Sequence, residues 1–198
     1  MLAKSFAAGM VFVFAVSAMG QASAQAPVPT SAEIQVGQAM ADIFQSTAGS
    51  DIALVASGFL NPLKDLKNLG ADFQFPSDEL WLVNLTGKQL SDAFERSLAF
   101  YPEPCPDMLY FSGAEVSFTA GKTSRAKVTG VTVGGVAIDP NKTYKVSMPA
   151  SLARGGLSYF AVWNFQKPEK VISPIIKNLL TGKSVQTSTV RWLSRQSL

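Results

Sequence analysis

Histidine is absent from all 198 residues, and cysteine occurs once. Imidazole is the commonest general base near neutral pH and the commonest zinc ligand. Its absence excludes Ser-His-Asp catalysis, Cys-His catalysis and every His-bearing metal site within this chain. A single cysteine cannot form an internal disulfide, so packing alone must hold the core. Charge is also scarce: 16 % of residues are charged, 17 basic against 14 acidic, for a formal +3. The basic residues are scattered, which points to neither nucleic acid nor a membrane surface as a partner.

A long apolar run is present only at the start. Lys4 is followed by the apolar stretch from Phe6 to Met19, and Ala22-Ser23-Ala24 makes a small-residue cleavage motif before Gln25. Residues 1–24 therefore read as an export signal, with a retained anchor as the alternative. Residues 25–30 read as a Pro-bearing linker and 31–198 as one domain. The expected location is periplasmic or secreted, with no membrane association after cleavage.

The remainder alternates helical and strand patterns. A helix is expected from Thr30 or Ser31 to about Ser46, then a strand over Ile52–Ala56. Asn61–Gln74 reads as loop with room for one helical turn. Glu79–Leu85 reads as a buried strand, and Thr86 with Gln89 forms a capping box opening the next helix. Strands are expected at Leu109–Phe111, Glu115–Thr119, Lys127–Val133, Val136–Ile138, Thr143–Met148 and Thr189–Leu193. Gly134-Gly135 makes a two-residue hairpin turn. Ser151–Arg154 reads as a short helical turn, and Pro174 fits the first turn of a helix ending at Leu180, closed by Gly182.

Several motif fragments reduce to ordinary local structure. Gly182-Lys183-Ser184 resembles the end of a phosphate-binding loop, but Lys177 stands where that loop needs glycine, and the glycine follows a helix. Ser124-x-x-Lys127 leads into a strand, whereas the catalytic version opens a buried helix. Asp92 and Glu95 fit an exposed helical face. Cys105, in "PEPCPD", is a free thiol, an intermolecular disulfide or a nucleophile; the lack of any histidine to activate it favours the first. Tyr110, Phe111, Tyr159, Phe160, Trp163 and Phe165 are core residues by default, while a facing pair would clamp a planar ligand.

Taken in order, "VGQAMADIFQSTAGSDIALV", "LWLVNLTGKQLSDAFERSL", "LYFSGAEVSF", "VTGVTVGGVAIDPNKTYKVSM" and "LARGGLSYF" resemble the C-terminal domain of the 5′-nucleotidase and UDP-sugar hydrolase family. The likeness runs from about Ser31 to Phe165, and Asp139 to Tyr144 is its most distinctive piece. The resemblance implies an α/β (α+β) fold with mixed β-sheet layers packed with helices. It also implies a substrate-binding domain whose catalytic partner is a metallophosphoesterase domain, which this sequence does not contain. In the family, two loops and two aromatic rings hold a nucleoside. Here "ASGFLN" occupies the Asn-Gly-Gly-Gly-Ile-Arg loop: Ala56 stands for Asn, Asn61 for Arg, and Gly58 keeps its type. Gly155-Gly156-Leu157-Ser158-Tyr159 occupies the second loop, with Leu157 for Asp and Tyr159 as the second stacking ring. The first ring falls at or near Met108, with Phe111 close by. The expected ligand contacts are thus Gly58, Asn61, Met108, Phe111, Gly155, Gly156 and Tyr159. No catalytic residue, metal or cofactor is expected. Losing a bidentate Arg from an anion site points to a nucleoside or other small planar ligand less anionic than a nucleotide. The competing expectation is an accessory protein that completes a separately encoded metallophosphoesterase in nucleotide catabolism.

Overall fold

The computed structural model describes residues 31–62, 64–120, 125–186 and 191–196. Helix α1 (Ser31–Ala48) lays Val36, Met40, Ala41 and Phe44 on the core and leads through Gly49 into β1 (Ile52–Ala56), all five of whose residues are buried. A strand apolar on every side belongs in the middle of a sheet. β1 pairs antiparallel with β3 (Leu109–Ser112) on one side and parallel with β7 (Thr143–Pro149) on the other. β2 (Leu80–Thr86) and β8 (Lys170–Ser173) extend the sheet beyond β7, giving the order β3-β1-β7-β2-β8. The second sheet has the order β6-β5-β4-β9, from β4 (Ala114–Ala120), β5 (Lys127–Val133), β6 (Val136–Ala137) and β9 (Trp192–Gln196). Mixed sheets packed with helices are the fold class expected.

Thr86 caps α3 (Gly87–Ser97) with both halves of the capping box present: the Gln89 amide donates to the Thr86 hydroxyl, and the Gln89 side chain accepts from the Thr86 N–H at 2.9 Å. Such a cap contributes about 1 kcal/mol. Leu90, Ala93 and Phe94 of α3 face the core, where Trp192 of β9 meets Phe94, Phe111 and Phe118 edge-on at 5.9, 5.0 and 5.8 Å. Trp192 therefore ties the second sheet to the first. The chain passes from β3 to β4 through Gly113 alone. Its φ is +82°, and a Cβ there would lie 2.0 Å from the Asp51 carbonyl oxygen, so only glycine fits this corner.

Among the described residues there are also three short helices: α2 (Leu69–Asp72), α4 (Ala150–Ala153) and α5 (Ile176–Leu180). Three details differ from the sequence pattern. β8 was not expected at all. The last strand is Trp192–Gln196 where Thr189–Leu193 was expected, with 189 and 190 outside the described residues. Pro174 precedes the first residue of α5 by two, because β8 runs to Ser173. Ser124 of the Ser-x-x-Lys fragment lies outside the described residues. Among the described residues no helix is long and apolar enough to cross a membrane.

Candidate ligand pocket

β1 delivers the chain into a 3-10 turn, Ser57–Phe59, at the sheet's edge. The turn is fastened to the segment before β3: Ser57 N–H donates to the Met108 carbonyl at 2.8 Å, and Gly58 N–H to that of Pro106 at 2.7 Å. Beside it opens a cavity of about 280 Å³ bounded by Glu33, Ser57, Leu60, Lys64, Cys105 and the ring of Pro106. A cleft outside the carboxyl end of a strand is the usual ligand position in open α/β sheets. Two larger clefts, about 380 and 330 Å³, lie at the other end of β1 beneath Gly113 and the β5–β6 turn. Two of their polar side chains are engaged with the protein itself. Gln45 donates to the Asp51 carbonyl at 3.0 Å, and Arg191 pairs with Asp42 at 2.7 Å.

Glu33, in the first turn of α1, carries the chemistry of the smaller cavity. Its Oε1 accepts from the Ser57 hydroxyl and, at 3.1 Å, from the Tyr110 hydroxyl. Tyr110 is buried; burial first, and then the Glu33 charge, push its pKa far up, so it remains a donor. The Lys64 charge also acts on a second carboxylate. Burial raises the pKa of Asp72, and the backbone N–H of Asp65 and the Lys64 charge pull it back. The Cys105 thiol donates to Asp107 Oδ1 and is pushed up to about 11, by burial first and then by that bond. A thiol so held is not a nucleophile at neutral pH, which agrees with the free-thiol reading.

Of the residues expected to touch a ligand, Gly58 alone lines this cavity. Asn61 turns away, its side chain donating to the Ala71 carbonyl at 2.6 Å. Met108 contributes a carbonyl to the Ser57 turn, and Phe111 lies in the core 4.9 Å from the Phe94 ring. Gly155 and Gly156 allow close approach within their own loop: a Cβ would meet Phe160 at 2.8 Å and the Ser151 carbonyl at 2.7 Å. Tyr159 has no face open to solvent. It stacks on Trp163 at 4.9 Å and 13°, lies 5.5 Å from the Arg96 guanidinium, and donates its hydroxyl to the Asp107 carbonyl at 2.6 Å. Burial, followed by the Asp107 charge, raises its pKa well above the usual value. The stacking role expected of Tyr159 is thus taken up inside the protein.

Leu157, where the resemblance places an Asp, packs beside the Ser57 turn. Its side chain comes within 3.1 Å of where a Cβ on Gly58 would be, and its carbonyl accepts from Arg96 at 3.3 Å. Arg96 also bonds Asp107 at 2.8 Å, and its buried Nε has no partner among the described residues. Leu157 and Ser158 both have positive φ, 53° and 64°, a conformation that costs residues with side chains energy and persists only where packing enforces it. Residue types alone did not reveal Glu33, Lys64 or Cys105 as pocket residues. Glu33 reads locally as a favourable helix-start charge, and its partner Ser57 is 24 positions away.

Among the described residues, no group of three or more His, Cys, Asp or Glu side chains is placed to hold a metal. The family model for the C-terminal domain of 5′-nucleotidase matches residues 16–163, beginning inside the segment read as an export signal. No curated protein matches. Among solved structures, the fold is similar to a 5′-nucleotidase precursor from Thermus thermophilus (19 % identity, TM-score 0.64, covering 81 % of this chain and 35 % of that one). It is also similar to a putative 5′-nucleotidase from Staphylococcus aureus (18 %, 0.61, 82 % and 36 %) and the NAD nucleotidase of Haemophilus influenzae (14 %, 0.61, 81 % and 33 %). This chain spans about a third of the length of each. With residues 16–163 matched to one domain model and the sheet order on view, the chain belongs to the family of 5′-nucleotidase C-terminal domains.

Proposed function

We propose that this protein is an exported, non-catalytic binding module that takes a small ligand in the cavity beside Ser57. The observation that carries the reading is the cavity itself, at the carboxyl end of β1, with an oriented carboxylate inside and no paired nucleophile and base. The Asn-to-Ala56 and Arg-to-Asn61 replacements remove the phosphate contacts that the family resemblance implies, which leaves a nucleoside or another small planar molecule as the ligand class. Lys4, the Phe6–Met19 run and Ala22-Ser23-Ala24 support export. The test is titration of the purified chain with adenosine, AMP and UDP-glucose, read as amide shifts by two-dimensional NMR. Saturable shifts centred on Ser57, Gly58 and Cys105 support the reading. Saturable shifts centred on another face, or none from a folded sample, refute it.

A second reading rests on a separate observation. Phe160 and Phe165 are 59 % and 76 % exposed on the loop that carries Tyr159. Large exposed rings are enriched where proteins meet. They favour an accessory subunit for a separately encoded metallophosphoesterase. Co-purification with such an enzyme that is lost in Phe165→Ser would support it; unchanged co-purification, or none, would not.

A further inference from the structure

The loop that leads into Tyr159 is built from residues that resist its shape. Gly156 to Tyr159 form a tight turn, closed by the Tyr159 N–H on the Gly156 carbonyl at 3.1 Å. Its two central residues, Leu157 and Ser158, have φ of 53° and 64°. Positive φ at both central positions is the type I′ pattern, which glycine, asparagine and aspartate normally fill. A leucine and a serine are ill suited to it, because the left-handed region drives Cβ toward the following carbonyl oxygen.

The tip of the turn is held by the Leu157 carbonyl, which accepts from Arg96 at 3.3 Å. It is also held by the Leu157 side chain, which comes up against Gly58 of the Ser57 turn. A bond of 3.3 Å is long for a guanidinium donor. Arg96 has a firmer partner in Asp107 at 2.8 Å, while its buried Nε has none among the described residues. A buried donor without an acceptor is costly. Lifting Gly156–Ser158 would relieve both costs together, freeing the left-handed pair and letting water reach the Nε–H. Tyr159 need not follow the tip, since its ring stacks on Trp163 and its hydroxyl donates to the Asp107 carbonyl.

We propose that Gly155–Phe160 is a latch over the Ser57 turn. It is closed in the structure, and it opens by a lift of its tip that uncovers Gly58 and the Arg96 side chain while the rest of the domain stays folded. Gly58 also meets Pro106, a wall of the cavity, so the latch borders that cavity through a shared turn. The latch stands whether or not the cavity takes a ligand.

Amide hydrogen exchange and arginine labelling of the purified chain test it. The N–H groups of Tyr159 and Phe160 are bonded to the Gly156 and Gly155 carbonyls, each at 3.1 Å. They should exchange about a hundredfold faster, or more, than the slowest amides of β1 and β2, which report global unfolding. Low urea should barely change their rates, because a lifted tip exposes little surface. Ser158 is exposed, so substitutions there spare the core. Ser158→Gly removes the steric cost of positive φ and should slow the two amides by about two- to fivefold. Ser158→Val, β-branched and misplaced at positive φ, should speed them by at least as much. Phenylglyoxal labelling of Arg96, located by mass spectrometry, should follow the same order. Tyr159 and Phe160 amides no faster than the slowest of β1 and β2 would overturn the latch, as would equal rates in Ser158→Gly and Ser158→Val. Arg96 labelling indifferent to both substitutions would overturn the claim that the tip covers that side chain. Should Ser158→Val fail to fold, the unaltered protein and Ser158→Gly still decide.

Discussion

Replacing Gly37 by alanine sets helix propensity against packing, and the two predict opposite signs. In an isolated helix the change is stabilising by about 0.5–1 kcal/mol. In this protein the new Cβ would lie 2.1 Å from Cδ2 and 2.5 Å from Cγ of Tyr110. Carbon atoms pack at about 3.5–4.0 Å, so ring or helix must move by roughly 1.5 Å. The ring is 2 % exposed and has Glu33 as its hydrogen-bond partner, so it cannot swing into solvent. Overpacking costs about 1–3 kcal/mol, and pulling a buried hydroxyl off its acceptor adds about 1–3 kcal/mol. The net expectation is a loss of about 1–5 kcal/mol, or roughly 3–15 °C in Tm for a domain of this size. Thermal unfolding followed by circular dichroism measures it directly. Repeating Gly37→Ala in a Tyr110→Leu background should abolish most of the loss, because the clashing ring is gone. A Tm that rises in the unaltered background, or an equal loss in both backgrounds, would refute the account of Gly37.

Other consequences follow from the same geometry. The Cys105 thiol has its pKa raised from 9.0 to about 11, so the folded state holds that proton longer than the unfolded chain. Stability should therefore fall as pH rises from about 9 to 11, and Cys105→Ala should flatten that part of the profile in urea titrations. Alkylation by iodoacetamide at pH 8 should be much slower in the native protein than in urea. Asp107→Asn should destabilise by about 3 kcal/mol, since it leaves Arg96 facing its carbonyl partner alone, whereas Lys88→Ala, whose exposed pair with Asp92 is worth about 0.3–0.5 kcal/mol, should change little. N-terminal sequencing of the exported protein should begin at Gln25; an intact Met1 start in a secreted fraction would contradict the signal reading.

The parts of this fold that were legible in the sequence are those written in nearest neighbours. Thr86 and Gln89 satisfy each other across three residues, and Gly134-Gly135 joins two strands of alternating pattern, so both could be read without the rest of the chain. β8 hid because Lys170–Ser173 is only four residues between Pro168 and Pro174, and takes strand form by pairing with the distant β2. The pocket hid for a related reason. Glu33, Ser57 and Tyr110 come from three elements, and each is locally explained as a helix start, a turn residue and a strand aromatic. Tyr159 illustrates the converse: its residue type matches a stacking position, but Arg96 and the Asp107 carbonyl close on it, and burial of that kind is set by neighbours far apart in the chain.

The Gly113 corner also decides where this fold tolerates added chain. Because one residue carries the backbone from one sheet to the other, with the Asp51 carbonyl pressed against it, a residue inserted there has nowhere to go. It would shift β4 by one register position and turn its buried face outward. The β5–β6 turn is the opposite case, since nothing lies within 4 Å of a Cβ at Gly134 or Gly135. A peptide tag or a fluorescent reporter belongs in that hairpin, and natural length variation in this domain should collect there and stay away from Gly113.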